Sequence, residues 1–156
     1  FRELYLCVQA AMGWMNCHLS EFHVNGKTVT QPSFEPEGDF IDSRTAKLLA
    51  LLKEGSKFEY WYDFGDDWYH DLVVEKIDPA AELSKPVCTG GARACPPEDC
   101  GGPYGYSELL QALANPKHPQ HKELKEWVGG RFDAGKFDLK EANSLLKDYE
   151  EMEEEH

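Results

Sequence analysis

The sequence has little positive charge: 16 lysines and arginines stand against 29 aspartates and glutamates, giving a formal net charge of −13. A surface this acidic repels phosphate backbones, which argues against nucleic acid as a partner. The sequence also lacks a run of about 18 apolar residues and a signal-peptide pattern, so we expect no membrane partner. These absences together predict a cytoplasmic protein whose partner is an unknown ligand or another protein.

A disulfide framework and the general catalytic signatures are both missing from the sequence. The five cysteines are odd in number and irregular in spacing, which favours a reducing compartment over a secreted disulfide framework. No GxSxG, Walker loop, HExxH or GxGxxG pattern occurs, so no common enzyme class is indicated. The length predicts one domain, residues 1–147, followed by an acidic tail, residues 148–156, which we expect to be a solvated helix end.

The order of the predicted elements indicates an α+β class. We expect two antiparallel hairpins packed against an N-terminal helix, with a helical C-terminal half. The first hairpin turns at Asn25-Gly26, and residues 31–42 are predicted to form a loop. The segments expected to be regular are helices at 2–14, 43–53, 107–115, 119–128 and from Asp138, and hairpins at 18–30 and 57–77.

Apolar spacing predicts which faces of the helices are buried. Ser43 is expected to cap the second helix, and Asp138 to cap the last one in a capping box with Glu141. The predicted inner stripes are Leu4, Cys7, Val8, Ala11 and Met12 in the first helix, Leu48, Leu49, Leu51 and Leu52 in the second, and Leu139, Ala142, Leu145, Leu146 and Tyr149 in the last.

Alternation also predicts a register for the second hairpin. If Gly65-Asp66-Asp67 is the loop, Phe64 lies opposite Trp68 and Tyr62 opposite His70. One face is then apolar apart from His70 and belongs to the core. Trp61 and Tyr69 fall on the other face and become candidates for contact with a partner.

Three cysteines in one irregular segment suggest a metal knuckle. Cys88, Cys95 and Cys100 are separated by six and four residues, and His70 or His18 would have to supply a fourth ligand. Thiolates would select zinc or an iron–sulfur cluster. The alternative is that the three thiols are small buried apolar groups beneath the loop.

Acidic residues and a histidine cluster at the tip of the second hairpin. His70 with Asp63 or Asp66 could act as an acid–base pair, or bind a cation together with His18. Alternatively, Asp66 and Asp67 are turn residues and His70 is a core histidine bonded to a carbonyl. Farther along, Arg93 is expected to pair with Glu98 and Asp99, or else to receive an anionic ligand.

Three segments carry a resemblance to a known family: AAMGW with CHLSEF, YDFGDDWYH, and RACPPEDCGGPYGY. Together, from Leu4 to about Leu139, the chain resembles the plasmid pRiA-type open-reading-frame-three-like family, some of whose members are labelled transposon passenger or resolvase-like proteins. The resemblance implies a compact α+β domain of bacteria and archaea and brings no activity with it. A resolvase needs a nucleophilic serine in a basic setting, so that label is not carried over. The family's motif positions correspond here to His18, Phe22, Asp63, Phe64, Asp66, Trp68, His70, Cys88, Arg93, Pro97, Glu98, Asp99, Cys100, Gly101, Gly102 and Tyr106.

Members of that family begin with a strand and an IWRR-like segment ahead of the first helix. We therefore expect N-terminal strands of the first sheet to be missing from this chain.

The sequence favours a non-catalytic binding or interaction domain, with its site where the 63–70 hairpin tip meets the 88–106 loop. The alternatives are a zinc-binding domain built on Cys88, Cys95, Cys100 and a histidine, and a hydrolase or transferase built on His70. The predicted binding residues are Trp61, Asp63, Asp66, Trp68, Tyr69, His70, Arg93, Glu98 and Asp99, and the predicted metal ligands are Cys88, Cys95, Cys100, His70 and His18.

Overall fold

The computed structural model describes residues 1–32, 38–81 and 85–153. The predicted α+β class is confirmed: most strands come early in the chain and most helices come late. The elements are α1 Arg2–Met12, β1 Ser20–Val24, β2 Lys27–Thr30, β3 Phe40–Asp42, α2 Leu48–Leu51, β4 Lys57–Tyr62, β5 Trp68–Val73, α3 Gly102–Ala114, α4 His121–Trp127, α5 Leu139–Lys147 and a 3-10 segment Tyr149–Glu153.

The two hairpins form a single sheet in the order β3-β2-β1-β4-β5. Asn25 and Gly26 both have positive φ, as the predicted two-residue turn requires. β3 lies within the segment predicted as a loop, and its pairing with β2 is parallel. A parallel partner three residues long leaves no hairpin signal in the sequence, which explains why that strand was missed.

The second hairpin has a longer loop than predicted. Tyr62 lies opposite Trp68 and Tyr60 opposite His70, so the predicted register was wrong by two positions. The cause is Asp63, which adopts φ 56° and ends β4 early. A shift of two residues keeps each strand side chain on its predicted face, since the side-chain period of a strand is two. Phe64 is the exception: it leaves the core face and packs on Trp61, with ring centroids 4.3 Å apart.

The core lies between α1 and one face of the sheet. On the sheet side it contains Phe22, Tyr60 and Tyr62, each almost completely buried. On the helix side the most buried residues are Tyr5, Leu6, Gln9 and Ala10, whereas the predicted stripe lies to either side of them and is only partly buried. The prediction missed Gln9 because a polar residue does not count toward an apolar stripe. Its amide is fully buried and donates to the Tyr60 hydroxyl at 3.0 Å.

The helical predictions differ in quality. Asp138 accepts hydrogen bonds from the backbone N–H groups of Lys140 and Glu141, which confirms the predicted cap of α5. The predicted helix at 43–53 is reduced to α2, because Ser43 is buried ahead of it and does not cap it. Leu48 and Leu49, predicted to be inside, are exposed, as are Leu139 and Leu145 of the last helix.

The C-terminal segment is partly ordered against the domain. Tyr149 is buried, and the backbone carbonyl of Met152 accepts a hydrogen bond from Asn16. The expected solvated tail therefore does not begin at residue 148, and residues 154–156 lie outside the described part of the chain. None of the described helices has the length and apolar character needed to cross a membrane.

Candidate metal centre

The tip of the second hairpin is joined to the loop that precedes α3. Asp66 accepts a hydrogen bond from the Gly101 N–H at 3.0 Å. On the other side of the loop, Trp14 donates its indole N–H to the Pro96 carbonyl. The loop is thus attached both to the hairpin tip and to the segment that follows α1, and it brings its acidic residues toward His18.

His18 lies among carboxylates that come from distant parts of the sequence. Its Nε2 atom is 3.0 Å from Asp99 Oδ1, 3.5 Å from Asp63 Oδ2 and 4.0 Å from Glu98 Oε2. The side chains of Asp63 and Glu98 are 10% and 12% exposed, whereas that of Asp99 is 70% exposed. The cluster is therefore closed on the protein side and opens to solvent beside Asp99.

The Nε2 atom of His18 is buried and makes no hydrogen bond with any described residue. The contact with Asp99 is close enough for an ion pair but is not a hydrogen bond. A buried polar atom without a hydrogen-bond partner is uncommon, and it lowers the free energy of unfolding. This nitrogen therefore lies among the carboxylates of Asp63, Glu98 and Asp99 without a hydrogen bond to any described residue.

The carboxylates of the cluster are held in place by the surrounding backbone. Asp63 Oδ1 accepts from the N–H groups of Gly65 and Asp66, which leaves Oδ2 facing His18. Glu98 accepts from the Met15 N–H at 2.9 Å. Hydrogen bonds of this kind orient ligating carboxylates in metal proteins.

Tyr62 connects the cluster to the core. Its ring is buried in the core, and its hydroxyl donates to both oxygens of Glu98, at 3.0 and 3.2 Å. Burial is the largest cause that raises the pKa of Tyr62, and the nearby Cys17 and Glu98 raise it further. The Tyr62 hydroxyl therefore remains a hydrogen-bond donor. The Cys17 thiol, 3.7 Å away, must then donate to the Tyr62 oxygen. Burial also raises the pKa of Cys17, which keeps it a thiol.

Two overlapping sets of ligand atoms are close enough for a single ion among the described residues. They are His18 with Asp63 and Asp99, and His18 with Cys17 and Glu98. Of the five residues predicted as metal ligands, only His18 belongs to either set. Asp63, Glu98 and Asp99 had been predicted as binding residues, whereas Cys17 was not singled out, since no local motif distinguishes it.

The three-cysteine knuckle is not assembled in the described structure. The Cys88 thiol donates to the Gly90 carbonyl, and its backbone N–H donates to Asn143. Burial raises the pKa of Cys95 to about 12 and that of Cys100 to about 11, so both remain thiols at neutral pH. Neither set of close ligand atoms among the described residues includes Cys88, Cys95 or Cys100. The alternative interpretation, cysteines as partly buried apolar groups, fits the contacts of Cys88 and Cys95 with the core.

His70 occupies a structural position. Its Nδ1 atom lies 3.0 Å from the Tyr60 carbonyl, and its ring contacts Trp14 edge to face. Burial lowers the pKa of His70. No hydrogen bond or ion pair of the described residues joins it to Asp63 or Asp66, so the predicted acid–base pair is not assembled.

The remaining predicted residues lie in separate places. Trp68 contacts Trp14 and Tyr106 on the core side of the sheet. Arg93 is exposed and makes no ion pair with Glu98 or Asp99 among the described contacts; it lines a cavity of about 250 Å³ beside Lys136. Trp61 and Tyr69 stack on the outer face of the sheet.

Comparison with known proteins identifies relatives over most of the chain. Residues 1–141 match the family described as plasmid pRiA4b ORF-3-like protein. An uncharacterized protein of Sinorhizobium fredii, y4hQ, is 39% identical over 149 residues, which is 94% of this chain and 77% of that protein. The crystal structure of a protein of unknown function from Methanosarcina mazei Go1, MM3350, has a TM-score of 0.76 and 34% identity, over 90% of this chain and 81% of that one.

Proposed function

This chain belongs to the plasmid pRiA4b ORF-3-like family, and from the geometry of its carboxylate–histidine cluster we propose that it binds one divalent metal ion. The proposed ligands are His18 Nε2, Asp63 Oδ2 and Asp99 Oδ1. The observation that carries the proposal is the buried Nε2 atom, which has no hydrogen bond to a described residue although carboxylate oxygens of Asp99 and Asp63 lie 3.0 and 3.5 Å from it.

The distances between these atoms suit a common ion. Ligand atoms about 2.1 Å from one ion lie about 3.0 Å apart in octahedral geometry and about 3.4 Å apart in tetrahedral geometry. Asp99 and Asp63 lie 3.0 and 3.5 Å from Nε2.

The negative charge of the cluster favours a cation that carries more than one positive charge. Asp63 and Glu98 are largely buried and converge with Asp99 on one imidazole. A protonated imidazole would supply a single positive charge against three carboxylates. Buried charges that lack a partner are costly, and a divalent ion compensates them better.

The ligand types favour a borderline ion. One imidazole with two carboxylates is a set used by zinc, manganese and iron, whereas calcium and magnesium prefer oxygen ligands alone. Three protein ligands leave a position open for water on the exposed side of Asp99. Glu98, whose Oε2 atom is 4.0 Å from Nε2, is the third carboxylate of the cluster. The set with Cys17 is the weaker alternative, since its thiol already contacts the Tyr62 hydroxyl at 3.7 Å.

The proposal is tested by titrating chelator-treated protein with Zn²⁺ and Mn²⁺ in a calorimeter. We expect one site per chain, and a loss of affinity of about a hundredfold in His18→Ala. Asp63→Asn is the sharper variant: its amide oxygen can still accept from Gly65 and Asp66, while the amide nitrogen replaces the ligating oxygen. That variant should fold and bind the metal weakly.

His23 provides a matched control. Both of its ring nitrogens are already bonded to carboxylates, Glu21 at 2.6 Å and Glu59 at 2.7 Å. His23→Ala should therefore leave the metal affinity unchanged. Absence of binding at millimolar metal, or equal binding by the wild type and both cluster variants, would refute the proposal. Loss of binding in Cys95→Ser but not in His18→Ala would point instead to the cysteine segment.

A further inference from the structure

A second feature lies on the opposite face of the sheet, away from the metal cluster. Trp61 on β4 and Tyr69 on β5 are cross-strand partners whose rings stack, with centroids 5.2 Å apart and an interplanar angle of 13°. Phe64 packs against Trp61 at 4.3 Å. These three residues, the outer aromatic cluster, come from one hairpin and need no other element to form.

The outer aromatic cluster is open to solvent at Tyr69, whereas Trp61 and Phe64 are half-buried. Tyr69 is 52% exposed, and Val73, four residues farther along the same strand face, is 51% exposed, whereas Tyr60 and Tyr62 on the inner face are completely buried. A sheet face that serves only solvation ordinarily carries polar residues in such positions. Exposed aromatic side chains placed together are typical of a surface that contacts a partner.

Carboxylates surround the outer aromatic cluster. Asp67 accepts the indole N–H of Trp61 at 3.0 Å. Slight desolvation, followed by the negative charges of Asp67, Glu59 and Glu21, raises the pKa of Tyr69, as expected for a hydroxyl with acids nearby. Asp71 lies two residues from Tyr69 on the same exposed strand face. Among the described strand residues, alternation places Lys57 and His23 on this part of the face, and His23 already bonds two of the carboxylates.

We propose that the outer aromatic cluster binds an arginine- or lysine-bearing segment of a partner protein. A guanidinium or ammonium group laid on the open face of the Tyr69 ring gains a cation–π contact, and the carboxylates around it supply complementary charge. The same carboxylates repel phosphate-bearing partners such as nucleic acids and anionic lipid surfaces. This inference does not depend on the proposed metal site, since the two use different faces of the sheet.

The test uses two synthetic heptapeptides of alternating glycine and arginine or glycine and citrulline. Citrulline keeps the shape of arginine but carries no charge. Calorimetry at 150 mM salt should give a Kd of about 10–100 μM for the arginine peptide, the range expected of a weak transient contact. The citrulline peptide should bind about tenfold more weakly. Tyr69→Ala should weaken the arginine peptide about tenfold, and as a half-exposed position it should leave folding intact.

Trp127 is the matched control. It is 49% exposed on α4, so Trp127→Ala removes an equally exposed aromatic ring elsewhere on the same acidic protein. Binding that falls equally in both variants, or that is equal for both peptides, would show general attraction to an acidic surface and overturn the proposal. No binding of the arginine peptide at millimolar concentration would overturn it as well.

Discussion

The α-carbon of Gly102 faces the backbone carbonyl of Asp66 so closely that a β-carbon on Gly102 would lie 2.2 Å from the carbonyl oxygen. This contact holds the first residue of α3 against the tip of the second hairpin. Gly102 also has φ 67°, a conformation that residues with a side chain rarely adopt. The relationship joins the two segments that the sequence had marked as the functional region.

Gly102→Ala should therefore destabilise the protein more than a positive φ alone explains. Gly129 is the control, because its φ is 80° and a β-carbon there would meet nothing within 4 Å. We expect a cost of about 1 kcal/mol for Gly129→Ala from backbone strain, and about 3 kcal/mol for Gly102→Ala, where displaced backbone adds to it. Urea unfolding of both variants measures the difference. Equal losses of unfolding free energy would show that the backbone at Gly102 and Asp66 moves apart at little cost.

Tyr62→Phe should weaken metal binding by about tenfold, since it removes the donor that orients Glu98 beside the proposed ion. Tyr60→Phe is a control of the same size on the same strand, fully buried and bonded to Gln9 instead. Both variants should lose about 1 kcal/mol of unfolding free energy, because each removes one buried hydrogen bond. Calorimetric affinities that fall equally in the two variants would mean that Tyr62 acts only through stability.

The pH dependence of stability should report His70. Burial lowers its pKa in the folded protein below the ordinary value near 6.5, so the unfolded chain binds the proton more readily. The contribution of His70 to the free energy of unfolding is therefore present at pH 8 and is lost as the pH falls through 6.5 toward the folded-state pKa. His70→Gln, which can still donate to the Tyr60 carbonyl, should show a smaller decrease in urea midpoint between pH 8 and pH 5.

His23 should respond with the opposite sign. Burial lowers its pKa, but the hydrogen bonds and charges of Glu21 and Glu59 outweigh burial, and the net shift is upward. Its stabilisation is thus complete below pH 6.5 and is lost as the pH rises through the raised value. If His23→Gln and His70→Gln changed the pH profile in the same direction, the environment assigned to one of them would be wrong.

The cysteines near the loop should resist alkylation in the folded state. With pKa values of about 12 for Cys95 and 11 for Cys100, the thiolate fraction at pH 8 is on the order of 0.0001 to 0.001. Iodoacetamide should leave both largely unmodified while a small free thiol reacts fully, and should modify all five cysteines in urea. Peptide mapping by mass spectrometry gives the order of reaction. Rapid native reaction of Cys95 would indicate a thiolate and revive the cysteine-based metal site.

Local signals in the sequence predicted the parts of the fold that depend on neighbouring residues. The Asp138 cap and the Asn25-Gly26 turn depend on side chains and dihedral angles within a few residues, and both were confirmed. The parallel strand β3 and the burial of Gln9 depend on distant partners, and both were missed. Propensity cannot report a hydrogen bond whose two ends are 51 residues apart in the chain.

The candidate site shows the same limit. Residues of the right chemical types were identified from the sequence, but they were grouped by proximity in the chain. Asp63 was paired with His70 across a hairpin, yet its left-handed conformation turns it toward His18. No pattern within a strand predicts that reversal, because it requires the Gly65 and Asp66 N–H groups to capture the carboxylate.

The cluster around His18 also has a consequence for the unfolded chain. Its members come from three segments, and the contacts of Tyr62 with Cys17 and Glu98 alone span 45 and 36 residues. An ion held by His18, Asp63 and Asp99 would close two loops of comparable length, each of which a freely moving chain closes at a cost of about 3–4 kcal/mol in entropy. Such an ion would act as a reversible cross-link, and the protein would unfold more slowly with it bound than without it.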